Sequence, residues 1–499
     1  MSTINDLTQK SKKWLESKIA KSQVVFAKED IPQKYYKILL QEKLIAELNK
    51  QYIYLKPQFD DEVQVFKNNF WHIIIQFLDQ VFNKDWYFTG DYSYKLSFDN
   101  FSLVSNQVTI ATKAKSNRAI NLVGGFVVIA TFDPNYKSKP LELKKVLGQE
   151  FKVLKPEYIL VNATINDYIR YKEELSSLIK SSDRDEKFIV DFFANNSNPV
   201  LLARLIGALR QHDDFTLKFE LENLLKSSGV KITIPNPFKQ VINLDIIERP
   251  AYLNRFDISM SKAIEQLASL SKLTRLKTRM QADDIHEIVV DDAYHSLTIE
   301  GYTVTRSLLE YLNSHPSSKQ NFPDDLRNQL AAKGFMNVVR FIEKILESKF
   351  TINENLARKL YEELWKPSLN AKIIQAQDIF RKHMVSINGA NYVPPSHEKV
   401  PYMIDAIFDA SRDIKNGFAL GIFLHFFYVG VHPHSDGNGR ISRFLMNLAF
   451  VNDRYRWLTI PNYEKANYFN ALEQSQINDD ISYFADYIVS LYKSKPKLK

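Results

Sequence analysis

Apolar positions change their spacing along the chain, and the changes divide it. Ser11–Ile19 carries them at helical spacing, Val24–Phe26 runs them together as a short strand would, and two helical stretches cover Gln33 to Leu40 and Glu42 to Leu48. Tyr52–Leu55 then returns to a β-like run. Helix, strand, two helices and strand is the order of a small winged-helix module, placed over residues 1–60. From Phe88 to about Phe132 the pattern alternates, as in Val108–Thr112 and Phe126–Thr131, and predicts a small sheet. Helices follow near Asn198–Arg210 and Phe219–Leu225, inside an α+β accessory domain over 61–235. Prolines in Lys231–Phe238 and Ile247–Ala251 break any helix, so 236–255 reads as an extended connector. Helical spacing dominates 256–490, interrupted at His315-Pro316 and Pro394-Pro395. The expected fold class is multidomain α+β: a mostly α-helical C-terminal half with one β-hairpin, preceded by a winged-helix-like and small-sheet N-terminal half.

Composition narrows this only modestly. At 499 residues the chain is long for one core, and its 45% apolar and 25% charged residues are those of an ordinary globular protein. No cysteine occurs, which removes disulfides and cysteinyl zinc sites and accords with a reducing compartment. The first residues lack the basic-then-apolar pattern of a signal peptide, and the longest apolar run, Phe418–Val431, is too short for a membrane span and contains His425. A soluble, cytoplasmic protein without a membrane partner is expected. The net charge of +8 permits nucleic-acid contact without requiring it, and the aromatic residues show no stacking-platform spacing. The lysine-rich end, Lys493–Lys499, reads as disordered.

The chemistry concentrates in His432–Arg443, which reads His-Pro-His-Ser-Asp-Gly-Asn-Gly-Arg-Ile-Ser-Arg. His432 suits a general base, with Pro433 expected to hold it extended on a loop. Asp436 is a hard oxygen donor of the kind Mg²⁺ takes together with phosphates and water. Gly437, Asn438 and Gly439 can converge backbone N–H groups on an anion at the start of a helix, and Arg440 and Arg443, three apart on one face of it, match phosphate oxygens. His432-x-His434-x-Asp436 also has the spacing of a dinuclear metallohydrolase, but no histidine follows His434 to complete that ligand set. A Walker-type loop fails for want of the Gly-Lys-Ser/Thr ending.

The stretch resembles the Fic family of nucleotidyl transferases, whose motif reads His-x-Phe-x-Asp/Glu-Gly-Asn-Gly-Arg-x-x-Arg. One position departs: His434 stands where the family usually has an inward-packing Phe that anchors the loop. The resemblance implies protein AMP transfer. His432 would deprotonate a protein hydroxyl, which attacks the α-phosphate of ATP, with Mg²⁺ on Asp436 and the nucleotide phosphates on Gly437–Arg440 and Arg443. Phe380–Pro395, with Asn388-Gly389 as its turn, resembles the family's β-hairpin flap, whose free edge would pair with an extended target segment. Asn467–Gln476 resembles the segment closing the adenine pocket, with Tyr468 and Phe469 as walls and Gln476 as a polar reader.

Upstream, Ser296-Leu-Thr-Ile-Glu300-Gly301 lies on a helical run from about Asp284 and resembles the family's inhibitory motif. Ser296 and Glu300, four apart, share a face, so both can reach one target. The implied target is Arg443, which a Glu300 carboxylate would take from the γ-phosphate. The same resemblance leaves open the reverse reaction, removal of AMP with Glu300 positioning water. The N-terminal half resembles AbiEi-type antitoxin regulators of type IV toxin–antitoxin systems in element order, which implies DNA as a partner beside the protein target and self-modification, with the Fic half sensing nucleotide.

Overall fold

The computed structural model describes residues 2–56, 61–103, 105–115, 117–196, 198–212, 215–238, 250–268, 270, 273–315, 325–374, 379–387 and 389–494. Asn388, Pro316, part of the connector and residues 495–499 lie outside them. The chain divides into two units, Met1–Arg255 with Val385–Val393, and Phe256–Met384 with Pro394–Lys499.

The first unit begins with α1 (Ser2–Ile19), β1 (Val25–Ala27), α2 (Gln33–Gln41), β2 (Ile45–Glu47) and β3 (Tyr52–Leu55). The strands are antiparallel in the order β1-β3-β2, and Leu15, Phe26, Ile31, Leu39, Ile45 and Ile53 form the core beneath them. Glu42–Leu48 is not the second helix its spacing suggests. Lys43 takes a left-handed φ of 56°, which ends α2, and Ile45–Glu47 pairs with Ile53–Leu55 instead. Ladder bonds and burial of Ile45 outweigh a local helical preference that four apolar positions, Leu44, Ile45, Ala46 and Leu48, could not fix.

A second sheet has the order β4-β5-β7-β6, from β4 (Trp86–Phe88), β5 (Gln107–Thr112), β6 (Arg118–Asn121) and β7 (Val127–Phe132). Its central pair, β5 and β7, is parallel, and Val108, Ile110, Val128 and Ala130 are buried. The hairpin β8 (Leu141–Val146) and β9 (Gln149–Leu154) turns at Leu147-Gly148, both at positive φ. Helices including Pro199–Arg210 and Phe215–Ser227 enclose a further core that runs from Leu160 to Phe238.

Phe380–Pro395 contains no strand among the described residues. The backbone groups that a hairpin would pair with each other go elsewhere in the first unit. Gly389 N–H donates to Asn68 Oδ1 at 2.9 Å, Val393 N–H to Ser102 Oγ at 3.2 Å, and the Asn391 carbonyl accepts from Leu103 N–H at 2.7 Å. Among the described residues Gly389, Asn391 and Val393 bond outside the segment, and the expected free-edged hairpin is not formed.

The second unit is helical. Gly417–Val431 is buried at almost every position and packs on Asn438–Asn452 closely enough that a Cβ on Gly421 would lie 2.6 Å from the Met446 carbonyl oxygen. That close crossing holds the two ends of the loop 432–437. Ala282–Ile299 ends at Gly301, φ 86°, where Tyr302 N–H donates to the Leu297 carbonyl and Gly301 N–H to Thr298, the double bond of a glycine-terminated helix. No helix among the described residues is long and apolar enough to cross a membrane.

Candidate active site

The loop between the two packed helices is fixed by its own polar groups. Asn438 is buried, and its side-chain amide accepts from His434 N–H at 2.9 Å and donates to the His434 carbonyl at 2.8 Å. Its side chain therefore clamps the loop, leaving only its backbone for an anion. His434, 1% exposed, stacks on Tyr361 at 3.8 Å between centroids and 8° between planes. Its Nδ1 donates to the Ile379 carbonyl, so Nε2 accepts from Tyr428 Oη at 2.7 Å. Burial pushes its pKa down to about 3, which keeps the ring neutral. The imidazole thus takes the inward place of the usual Phe and adds two hydrogen bonds.

His432 is not extended. As the cap of Gly417–Val431 it takes φ 52° and ψ 59°, although it precedes Pro433. The end of the helix outweighs the preference of a pre-proline residue, because the left-handed turn brings its Nδ1 to the Val429 carbonyl at 3.2 Å. That bond places the proton on Nδ1 and leaves Nε2 as an acceptor. Burial lowers its pKa to about 4, with the Arg381 guanidinium adding to the effect. Arg381 itself straps the loop: Nε donates to the His432 carbonyl at 2.8 Å, Nη1 to His383 at 2.8 Å, and Nη2 to Pro395.

Gly437, at φ 92°, opens the helix Asn438–Asn452 in a conformation that only glycine adopts without strain. The two arginines that follow do not share a target. Arg440, 1% exposed, donates to Asp436 Oδ1 at 3.1 Å and lies over the rings of Tyr302 and Trp365, 5.0 and 5.4 Å from their centroids. The other oxygen of Asp436 accepts from Tyr302 Oη at 3.2 Å. Arg443, 6% exposed, donates from Nε to Ser296 Oγ at 3.0 Å and from Nη2 to the Ser296 carbonyl at 3.3 Å and Glu300 Oε1 at 2.7 Å. Burial alone would lower its pKa, but Glu300 and Tyr468 outweigh it and hold Arg443 above the usual arginine value. A Cβ at Gly439 would collide with the same Glu300 oxygen, so the carboxylate lies against the bare backbone at the start of the helix.

Lys465–Asn478 supplies Tyr468, Phe469 and Gln476, but not as one pocket wall. Tyr468 is 1% exposed, and its hydroxyl accepts from Arg443 Nη1 at 3.4 Å and meets His425 Nε2 at 2.9 Å. Phe469 is 44% exposed and Gln476 half-buried, seven residues apart on a different stripe of the helix. Sequence reasoning missed Arg381, Tyr302, Tyr361, Trp365 and His425. Their only signal is their residue type: Arg381, Tyr302, Tyr361 and Trp365 reach the loop from other elements, and His425, on the helix before it, meets Tyr468 instead.

A single carboxylate with one oxygen toward Arg440 and one toward Tyr302 fits Mg²⁺ only as one ligand among phosphates and waters. No group of three metal-ligating side chains occurs among the described residues.

Residues 350–450, which contain the loop and nearly all of its two flanking helices, match the model of the Fic/DOC family. Similar proteins are a probable protein adenylyltransferase of Aquifex aeolicus, 30% identical over 142 residues (28% of this chain, 42% of that protein), and protein adenylyltransferase Fic-1 of Caenorhabditis briggsae, 25% identical over 237 residues (46% and 44%). The chain therefore spans less than half the length of these relatives. A solved structure of Fic-1 from C. elegans aligns with 66% of this chain and 96% of that one, at 18% identity and a TM-score of 0.36.

Proposed function

We propose that the site moves AMP from ATP to a hydroxyl side chain of a protein, and that Glu300 holds it inactive by occupying Arg443. The observation that carries this is the position of the Glu300 carboxylate, on Arg443 at 2.7 Å and against Gly439, where backbone and guanidinium would otherwise receive a phosphate. His432 Nε2 would take the hydroxyl proton as the oxygen bonds to the α-phosphorus. The bond to the bridging oxygen then breaks and pyrophosphate leaves with that electron pair. A neutral imidazole with its other nitrogen tied to Val429 supports that role. Mg²⁺, held by Asp436 and the phosphates, would neutralise charge on the leaving group. The chain's own hydroxyls are candidate acceptors, and a cytoplasmic place of action belongs to the same reading, supported by the cysteine-free sequence.

Self-labelling with radiolabelled ATP tests this. Glu300→Gly is expected to raise labelling by roughly 10²-fold, the scale of one buried charged pair. His432→Ala in that background is expected to lower it by about 10² to 10⁴. Loss of AMP release from pre-labelled protein in Glu300→Gly would instead support AMP removal with Glu300 as a catalytic group, and no change in either labelling or release would make it an ordinary helix-end residue.

A second reading concerns the first unit and nucleic acid. Residues 1–56 hold 11 lysines against 6 acidic residues, net +5 of the chain's +8. Gln33, Lys34, Lys37 and Gln41 are exposed along α2, with Lys50 and Gln51 on the turn between β2 and β3. A basic helix backed by a three-stranded sheet with a basic turn supports a winged-helix module that docks on duplex DNA. The full chain should then bind duplex with an affinity that falls linearly in log salt, and Lys34→Glu/Lys37→Glu should abolish it. Salt-independent binding, or none, would sink this reading.

A further inference from the structure

Of the hydrogen bonds to the Arg443 side chain, three come from one helix. Ser296 Oγ, the Ser296 carbonyl and Glu300 all belong to Ala282–Ile299 and its cap, the segment that must yield before a phosphate reaches the guanidinium. The fourth, from Nη1 to Tyr468 Oη, comes from Lys465–Asn478 and is independent of that segment. A tyrosine oxygen that accepts from arginine must send its own proton elsewhere, and His425 Nε2 lies 2.9 Å away. His425 is fully buried, and its Nδ1 has no hydrogen-bond partner among the described residues. Burial, then the charge of Arg443, holds its pKa well below the usual value, so Nε2 stays an acceptor. A histidine with one polar partner in an apolar core, against Phe484 at 4.8 Å, is placed there for that partner.

We propose that Tyr468, oriented by His425, is the positioning residue that keeps Arg443 aimed at the phosphate chain once Glu300 is withdrawn. Its hydroxyl serves nucleotide binding without touching nucleotide. Two features set this apart from a packing role. Phe would fill the same volume, so packing does not call for the hydroxyl, and the hydroxyl faces the arginine instead of solvent. The long 3.4 Å contact belongs to the state in which the 2.7 Å bond to Glu300 draws the guanidinium the other way.

This inference rests on the phosphate role of Arg443 proposed above, and ATP binding separates the two. In the full chain carrying Glu300→Gly, ATP affinity is measured by titration calorimetry with Tyr468→Phe, with His425→Phe and with both, alongside thermal midpoints. Tyr468→Phe is expected to weaken ATP binding about tenfold, the scale of one hydrogen bond to a charged group. His425→Phe should weaken it less, and the double variant no further than Tyr468→Phe, because both act through one bond. His425→Gln, which keeps an acceptor, should restore part of the loss. In the labelling assay the effect should appear in KM for ATP with kcat changed less than about twofold. Failure of Glu300→Gly itself to bind ATP would overturn the underlying reading. ATP affinity unchanged by Tyr468→Phe, or a loss that follows the thermal midpoint while His425→Gln restores nothing, would overturn the positioning role alone.

Discussion

The surroundings of Arg440 and of Arg443 lie less than one helical turn apart and are built on opposite plans. Arg440 pairs with Asp436 four residues earlier and is stacked between Tyr302 and Trp365, so its main ionic partner comes from its own loop. Arg443 is held chiefly by Ser296 and Glu300, about 145 residues earlier in sequence. A local pair cannot be withdrawn without unmaking the loop, whereas a remote one can be withdrawn as a unit. The same residue type is a structural part in one place and, in the function proposed above, a switch in the other.

The comparison breaks most visibly in activity. In the Glu300→Gly background, Arg443→Ala should abolish labelling, a loss of about 10³-fold or more from removing a phosphate-binding charge. If it labels normally, the switch is not at Arg443. Stability then separates the two partnerships. Arg443→Ala alone strands the partly buried Glu300 and should cost about 3 kcal/mol in urea unfolding, most of which Glu300→Ala should restore. Arg440→Ala should cost about 2 to 4 kcal/mol through lost packing between the rings, and Asp436→Ala should restore none of it, because that carboxylate is already partly exposed. Equal recovery in both pairs would erase the distinction.

A smaller effect tests the loop that carries Asp436. His434 is neutral in the folded state, with its pKa depressed to about 3 from an unfolded value near 6.5. The stability it gives is fully present above about pH 6.5 and is lost as pH falls toward 3, by roughly 2 kcal/mol between pH 7 and pH 5. His434→Phe should flatten that acid slope. At pH 7 it should still cost about 1 to 3 kcal/mol, because Tyr428 Oη and the Ile379 carbonyl lose their partner. An unchanged slope would mean His434 titrates normally. The smallest change, Tyr302→Phe, should cost about 1 kcal/mol and, with Asp436 freed of that hydroxyl, lower the Mg²⁺ concentration needed for ATP binding.

What the sequence disclosed here was local. The order of donors in 432–443 and the four-residue spacing of Ser296 and Glu300 are properties of neighbours, and a turn or a helix face converts them directly into geometry. His432 departs from the pre-proline preference because a helix end decides its backbone. Tyr468 shows a further limit, because an aromatic residue on an amphipathic helix carries no mark of where its hydroxyl points. Arg381, Tyr302 and His425 were invisible, since their contacts depend on how remote segments meet. Asn391 and Val393 show the same limit from the other side: alternation in a short segment suggests a hairpin, but Leu103 and Ser102 take the backbone groups on which a hairpin depends.

The bare backbone at Gly439 also constrains how such a chain can change over generations. A side chain there would exclude the Glu300 carboxylate, but any phosphoryl group seated in the same hollow would be excluded with it. If the proposed function holds, mutations at 439 extinguish restraint and activity together, and lineages drifting toward unrestrained activity change 300, or the helix that presents it, while 439 stays fixed in both.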